Sequence, residues 1–366
     1  MRIEWLICFF MAICLMMMLF NGCYLVMERL RDRRFDRLAA KFEDELLQCG
    51  PQGEGAPASR IDLATALSRL SGMEAFDAAM QRAEKGVDAE ALEGYLESIA
   101  PTFSRLSRRY DARPGLERAF FAYLVRRWYR ARPAADSVIY CLQRDLLADS
   151  LYVRQNAFEA IARVGEADVL AHALETLDGK EEGHSPRLVT ETLLEATCDA
   201  GRLATALDAR LERLRPQTSA AVINYLRMCG MGSRGHLLAL MESPKTDREI
   251  RLACVRYFMR NPDSRAESMI RRLAQSEDPA SWEYAAVSAM ALASYPGRDT
   301  VALLKGLLSS RNWFVRFNAA KSLYDLGCTL EDDLGDVLAG ADRFAREMLV
   351  YRWQLEGAAL PEGAGA

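Results

Sequence analysis

Apolar and polar positions alternate along this chain in two rhythms. From Trp5 to Met27 an apolar run of about 23 residues carries no charge. At about 1.5 Å per residue it is long enough for a hydrocarbon core of roughly 30 Å, so it predicts a transmembrane helix. From Glu28 to Gln48 the pattern turns amphipathic, with Phe35, Leu38, Phe42 and Leu46 on or near one face. That stripe is short for a coiled coil, and it predicts a solvated helix continuing inward. Residues 50–59, rich in Gly and Pro, predict a flexible linker. The remainder is therefore expected to hang from its anchor by a short tether.

From Leu151 onward the pattern repeats in units of about 30 to 35 residues, the period of stacked helical pairs. Asp149, Val153, Arg154, Ala157, Ala160, Ile161, Val164 and Gly165 are echoed by Asn312, Val315, Arg316, Ala319, Ser322, Leu323, Leu326 and Gly327. First helices are expected around Val153, Leu188, Thr218, Ile250, Trp282 and Val315. Four positions after most of these anchors comes a compact residue (Ala157, Thr192, Cys254, Ala286, Ala319), which lets neighbouring helices approach closely. Second helices show apolar residues at helical spacing, as in Val169, Leu170, Ala173 and Leu174, or Leu303, Leu304, Leu307 and Leu308. Gly165, Gly201, Gly230 and Gly327 are expected at left-handed helix ends.

Between Ile61 and Ala148 the register is indistinct. Gly72, Gly86, Pro101, Pro114, Gly115 and Pro133 act as breakers there, predicting separate helices over 88–100 and 103–110 and a helical pair over 116–130 and 137–147. Strand-like alternation is missing throughout. The expectation is an all-α chain, an α-solenoid of helical pairs preceded by one transmembrane helix. Its segments are a short end (1–4), the transmembrane helix (5–27), a juxtamembrane helix (28–49), the linker (50–59), an N-terminal helical part (60–148), repeats (149–342), a capping helix (343–356) and a disordered tail (357–366).

The string Asp-x-x-x-Val-Arg-x-x-Ala-x-x-Ala-hydrophobic-x-x-hydrophobic-Gly is fullest at Asp149 to Gly165, close at Asn312 to Gly327 and partial at Asp247 to Asn261. It resembles the short HEAT repeats also found in phycobilin-lyase-like proteins, over about Leu151 to Leu338. The resemblance implies stacked helical pairs and, because HEAT arrays in general are binding scaffolds with a few enzymes among them, a binding role.

Charge and composition narrow this. The net charge of -4 and pI of about 5.7 argue against a globally nucleic-acid-binding protein. Nine cysteines without a Cys-x-x-Cys pair point to a reducing compartment rather than a disulfide framework. Only Arg2 precedes the apolar run, whereas Arg29, Arg31, Arg33, Arg34, Arg37 and Lys41 follow it. The positive-inside rule thus predicts a single-pass inner-membrane protein with its large domain in the cytoplasm. Apolar residues continuing past Gly22 speak against signal cleavage, and Phe20 and Asn21 fit a lipidation box ending at Cys23 badly.

The search for chemistry yields no catalytic, cofactor-binding or metal-binding residue. Of three histidines (His172, His184, His236), none is followed by Glu, so the His-Glu pairs of iron-dependent HEAT hydroxylases are missing. Trp282, Trp313 and Arg316 loosely imitate the residues of HEAT-type DNA glycosylases. Their repeat positions make them packing residues instead, with the recurring Arg154, Arg251 and Arg316 bridging acidic turns. A basic stretch is the remaining site candidate, an anionic-partner surface formed by Arg105, Arg108, Arg109, Arg113, Arg118, Arg126, Arg127, Arg130 and Arg132. Tyr110, Phe120, Phe121, Tyr123, Trp128 and Tyr129 interleave with it. A plain solvated surface, a site for anionic lipid headgroups or an acidic protein, and a single-strand nucleic-acid site all remain open for it. An acidic series, Glu166 to Asp199, follows. The expected function is a membrane-anchored scaffold or adaptor for a membrane-associated protein, more narrowly an accessory subunit of an envelope or polysaccharide-synthesis machine. The alternative is a HEAT-fold enzyme or nucleic-acid-binding protein, glycosylase-like or lyase-like.

Overall fold

The computed structural model describes residues 3–48, 63–131, 133–180, 183–276 and 281–357, and among them every regular element is a helix. The expected linker (50–59), Arg132, Glu181, Glu182 and the tail beyond Gly357 lie outside the described residues. The chain divides into two compact units, Met1–Leu177 and Asp178–Ala366.

The first unit contains α1 (Ile3–Gln48), α2 (Leu63–Ala66), α3 (Leu70–Gly86), α4 (Ala89–Ser107), α5 (Gly115–Trp128), α6 (Asp136–Asp145), α7 (Leu151–Val164) and α8 (Ala167–Asp178). The apolar half of α1 is exposed and is long and apolar enough to cross a membrane. Its other end departs from expectation. Ala39, Phe42 and Leu46 are buried, Phe42 meets the edge of Phe76 at 5.5 Å, and Arg82 on α3 donates to Glu43 at 3.0 Å. The stripe expected on a solvated stalk is instead a packing face. Covering a Phe and a Leu contributes about 1.5–3 kcal/mol each, enough to draw the helix onto α3. The apolar helix therefore runs without a break into a segment packed on α3.

Pro101 also behaves differently from a breaker. It lies inside the continuous α4, where the two expected helices are one. The carbonyl of Glu97 loses its helical donor, but Leu96, Ile99, Ala100 and Phe103 around the proline are buried and hold the helix together. Odd-numbered helices pack in series, α1 on α3, α3 on α5 and α5 on α7, while α4 packs on α6. The core is rich in rings: Tyr110 stacks on Phe121 at 4.5 Å, and Phe103 lies 5.9 Å from Tyr129. One buried carboxylate organises it. Asp77 accepts from Trp128 Nε1 at 2.7 Å, Gln81 Nε2 at 2.7 Å and the Tyr123 hydroxyl at 3.2 Å, as a buried charge requires.

The second unit contains α9 (Pro186–Leu194), α10 (Ala200–Asp208), α11 (Pro216–Cys229), α12 (Arg234–Glu242), α13 (Arg248–Arg260), α14 (Ser264–Ala274), α15 (Trp282–Ala291), α16 (Arg298–Leu307), α17 (Trp313–Asp325), α18 (Gly335–Leu338) and α19 (Arg343–Leu355). Every anchor named from the sequence falls in an odd-numbered helix, α7 through α17. The odd helices pack in series from α9 to α19, and α12, α14 and α16 do likewise. Thr192, Cys254, Ala286 and Ala319 are buried at these contacts, as is Ala157 in the first unit. The glycine caps divide: Gly230 and Gly327 adopt φ of 69° and 77°, the left-handed form, whereas Gly165 and Gly201 do not. Gly201 lies within α10, whose start is capped by Asp199 accepting from the Arg202 amide at 2.7 Å.

The recurring arginine has a backbone role. Arg154 donates to the carbonyls of Ala148 and Asp149, Arg316 to that of Ser310 at 2.6 Å, and Arg346 to that of Gly340 at 2.6 Å. Each reaches back five or six residues and ties the preceding turn to its own helix. Arg251 does the same across a longer turn, to Met241 at 3.1 Å. The expected bridges to acidic turns are thus corrected: the acceptors are carbonyls, which a guanidinium fork reaches from one turn into the helix.

Candidate functional site

In the basic stretch, sequence neighbours hide the true partners, which come from other helices. Arg118 on α5 holds Asp145 on α6 at 2.6 Å. Arg126 pairs with Glu159 on α7, Arg127 with Glu84 on α3 at 3.1 Å, and Arg130 with Glu93 on α4 at 3.0 Å. Arg113 meets Glu117 at 3.6 Å, and Arg105 donates to Thr102 at 3.2 Å. Among the described members, Arg108 and Arg109 alone are exposed with no ion pair or hydrogen bond from the side chain. The structure therefore brings four of the predicted arginines together as ties between helices rather than as one open surface. Tyr110, Phe121, Trp128 and Tyr129 are buried core residues, while Phe120 and Tyr123 are half-buried.

Beside Arg108 lies a shallow cleft of about 470 Å³, lined by Ser107, Asp136, Tyr140, Cys141 and Arg144 among others. Its hydrogen-bonding groups are largely engaged. Ser107 and Ser137 both donate to the Ser104 carbonyl, and Arg144 contacts Asp145 at 3.2 Å. Burial pushes the Cys141 thiol up to about 12, away from nucleophilic use.

The acidic series is likewise occupied with structure where its side chains are described. Asp178 accepts from the Arg215 amide at 2.7 Å and from Thr218, and Glu191 pairs with Arg187 at 2.7 Å. His236 lies between Asp208 at 3.3 Å and Glu212 at 3.5 Å, joining α12 to the end of α10. His172 sits 3.8 Å from Glu175 on the outer side of α8. Among the described residues no three His, Cys, Asp or Glu side chains converge as metal ligands.

Apart from α1, one exposed apolar surface was only partly reached by sequence reasoning. On α15, α17 and α19 the rings form a ladder: Trp282 stacks on Phe314 at 5.4 Å, Phe314 meets Trp313 at 5.2 Å, Trp313 stacks on Phe317 at 4.9 Å, and Phe317 meets Tyr351 at 6.5 Å. Arg316 lies 5.5 Å from the Phe344 ring, and Arg352 lies 5.4 Å from Phe317. Trp313, Phe314, Phe344 and Tyr351 remain 44%, 54%, 64% and 44% exposed. Isolated exposed rings are ordinary, but a set gathered on two neighbouring helices, α17 and α19, is the form taken by interaction sites. Helix starts put the rings outside. Asn312 caps α17 by accepting from the Phe314 amide at 2.8 Å, and Asp342 caps α19 by accepting from Phe344 at 3.0 Å. Trp313, Phe314 and Phe344 follow those caps directly, before the helix face that meets its neighbours begins. An aromatic residue just after a capping Asn or Asp was the signal available in the sequence.

No family model matches this chain, and no curated protein matches it.

Proposed function

We propose that this protein is a membrane-anchored adaptor. The apolar half of α1 crosses the inner membrane, the helical pairs stack as a HEAT-like solenoid on the cytoplasmic side, and a protein partner docks on the ring ladder of α15, α17 and α19. The observation that carries this reading is the exposure of Trp313, Phe314 and Tyr351, linked through Phe317, with exposed Phe344 beside them across Arg316. Large rings give up little conformational entropy on binding and supply most of the energetic anchors of protein interfaces. The anchoring half of the reading is supported by the length and apolarity of α1. The test is crosslinked affinity purification of the full-length protein from membranes, comparing wild type with the pair Trp313→Ala and Phe344→Ala. Loss of two anchors is expected to lower recovery of the partner at least about 30-fold, the factor for 2 kcal/mol or more. Recovery insensitive both to this pair and to removal of the span would overturn the adaptor reading.

A further inference from the structure

We infer that the apolar half of α1 pairs, through the strip of its surface that carries Asn21, with a transmembrane helix of a different protein that is basic at its cytoplasmic end. This rests on the reading that α1 crosses the bilayer.

Helical geometry places the strip. At about 100° per residue, Ala39 lies five whole turns beyond Asn21 and directly in line with it, Leu46 is within about 20° and Phe42 within about 60°. Ala39, Phe42 and Leu46 are the residues buried where α1 packs on α3. Asn21 therefore leaves the helix on the side where α3 sits, about 27 Å further down the axis. It lies within the run from Trp5 to Met27, is exposed, and has no hydrogen-bond partner among the described residues. A carboxamide in hydrocarbon without a partner is costly, and a neighbouring helix that bonds to it recovers part of that cost.

Charge selects the occupant. Continuing along the strip past Met27, Glu28 and Asp32 fall within about 20° of the Asn21 line, while Arg29, Arg31, Arg33, Arg34 and Arg37 are all at least about 80° away. The strip thus carries Glu28, which meets Arg31 at 3.9 Å, and Asp32 where it leaves the apolar run. Lys and Arg at the cytoplasmic end of a partner span, which the positive-inside rule supplies, complement it. A second copy does not. It would set Glu28 and Asp32 against themselves, and at the 8–10 Å spacing of packed helices the α3 of one copy would take the place of the α1 of the other. A foreign helix that ends near the bilayer surface meets neither obstacle.

The test uses the full-length chain in native membranes with a benzophenone side chain at position 14, about 20° from the Asn21 line, or at position 23, about 160° from it. Position 14 should give an adduct whose crosslinked peptide maps to a transmembrane helix of another protein with Lys or Arg at its cytoplasmic end. The yield should fall at least fivefold with Asn21→Leu and persist with Asn21→Gln, and position 23 should not give it. A dimer of the 41.0 kDa chain, equal yields from the two positions, no adduct at position 14, or indifference to Asn21→Leu would each overturn the pairing. Carbonate washing of the same membranes separates the two readings: release of the chain refutes the span itself, whereas retention with any of those crosslinking results refutes only the pairing.

Discussion

The two units place their rings differently. In the first, Tyr110, Phe121, Trp128 and Tyr129 are closed in. In the second, Trp313, Phe314, Phe344 and Tyr351 stay open, while arginines in both units are spent on carboxylates and on main-chain carbonyls. Position along the helix makes the difference. The rings of α5 stand in its middle and at its end, where α3 and α7 pack on it, whereas Trp313, Phe314 and Phe344 stand in the first turns of α17 and α19, and Tyr351 is exposed further along α19. Ring content by itself is neutral between core and interface; placement on the helix decides it.

The sharpest way to break this contrast is to truncate one tryptophan from each unit. Trp128→Ala removes a fully buried indole that also donates to Asp77, and should cost about 3–5 kcal/mol in denaturant unfolding. Trp313→Ala, at a half-exposed site, should cost about 1 kcal/mol or less. Equal losses would mean that the ladder is core after all. Next in size, Arg118→Ala leaves the Asp145 carboxylate, 1% exposed, with Arg144 alone, and should cost about 3 kcal/mol. Arg108→Ala and Arg109→Ala should stay within about 0.5 kcal/mol, so thermal melts of the three variants separate ties from surface.

Smaller again is Arg346→Ala. It frees the Gly340 carbonyl from a charged donor and should lower stability by about 1–2 kcal/mol, while Arg346→Lys recovers only part because it lacks the planar fork. The smallest effect concerns Asp263. The Arg265 side chain, at 2.7 and 3.0 Å, and the Arg265 amide hold its carboxyl at about 2, below the usual carboxylate range. A depressed value stabilises the fold when the carboxyl is ionised. The contribution is therefore complete above about pH 4, the unfolded value, and is lost as pH falls through about 2. Because Arg265 is largely exposed, solvent screening keeps it below about 1 kcal/mol. Comparing Asp263→Asn with wild type from pH 6 to pH 2 should show a gap that closes at the acid end.

These contrasts also mark what could be read from the chain. The odd-numbered helices were legible because compact residues such as Ala157, Cys254 and Ala319 recur four positions after an apolar anchor, a local pattern tied directly to helix contact. The destination of Phe35 to Leu46 was not, because an amphipathic stripe states that a face will be covered without stating by what. Pro101 misled for a related reason: the cost of a proline in a helix is set locally, while the buried neighbours that outweigh it belong to the tertiary core. The partners of the basic stretch, Glu84, Glu93, Asp145 and Glu159, lie 27 to 43 residues away, beyond any window in which charge balance is judged. For the ring ladder the sequence showed Trp282 and Trp313 as repeat positions and Phe344 as part of a last helix. Their junction into one surface follows from the packing of α15 on α17 and α17 on α19.

The central claim, that the ladder is covered by a partner at the membrane, is tested most directly by hydroxyl-radical footprinting of Trp313, Phe314 and Phe344 in native membranes and in the purified protein, with buried Trp128 as the reference. The account predicts that the three rings are protected in the membrane and become strongly labelled on purification, while Trp128 stays protected in both. Equally strong labelling in both preparations would contradict it.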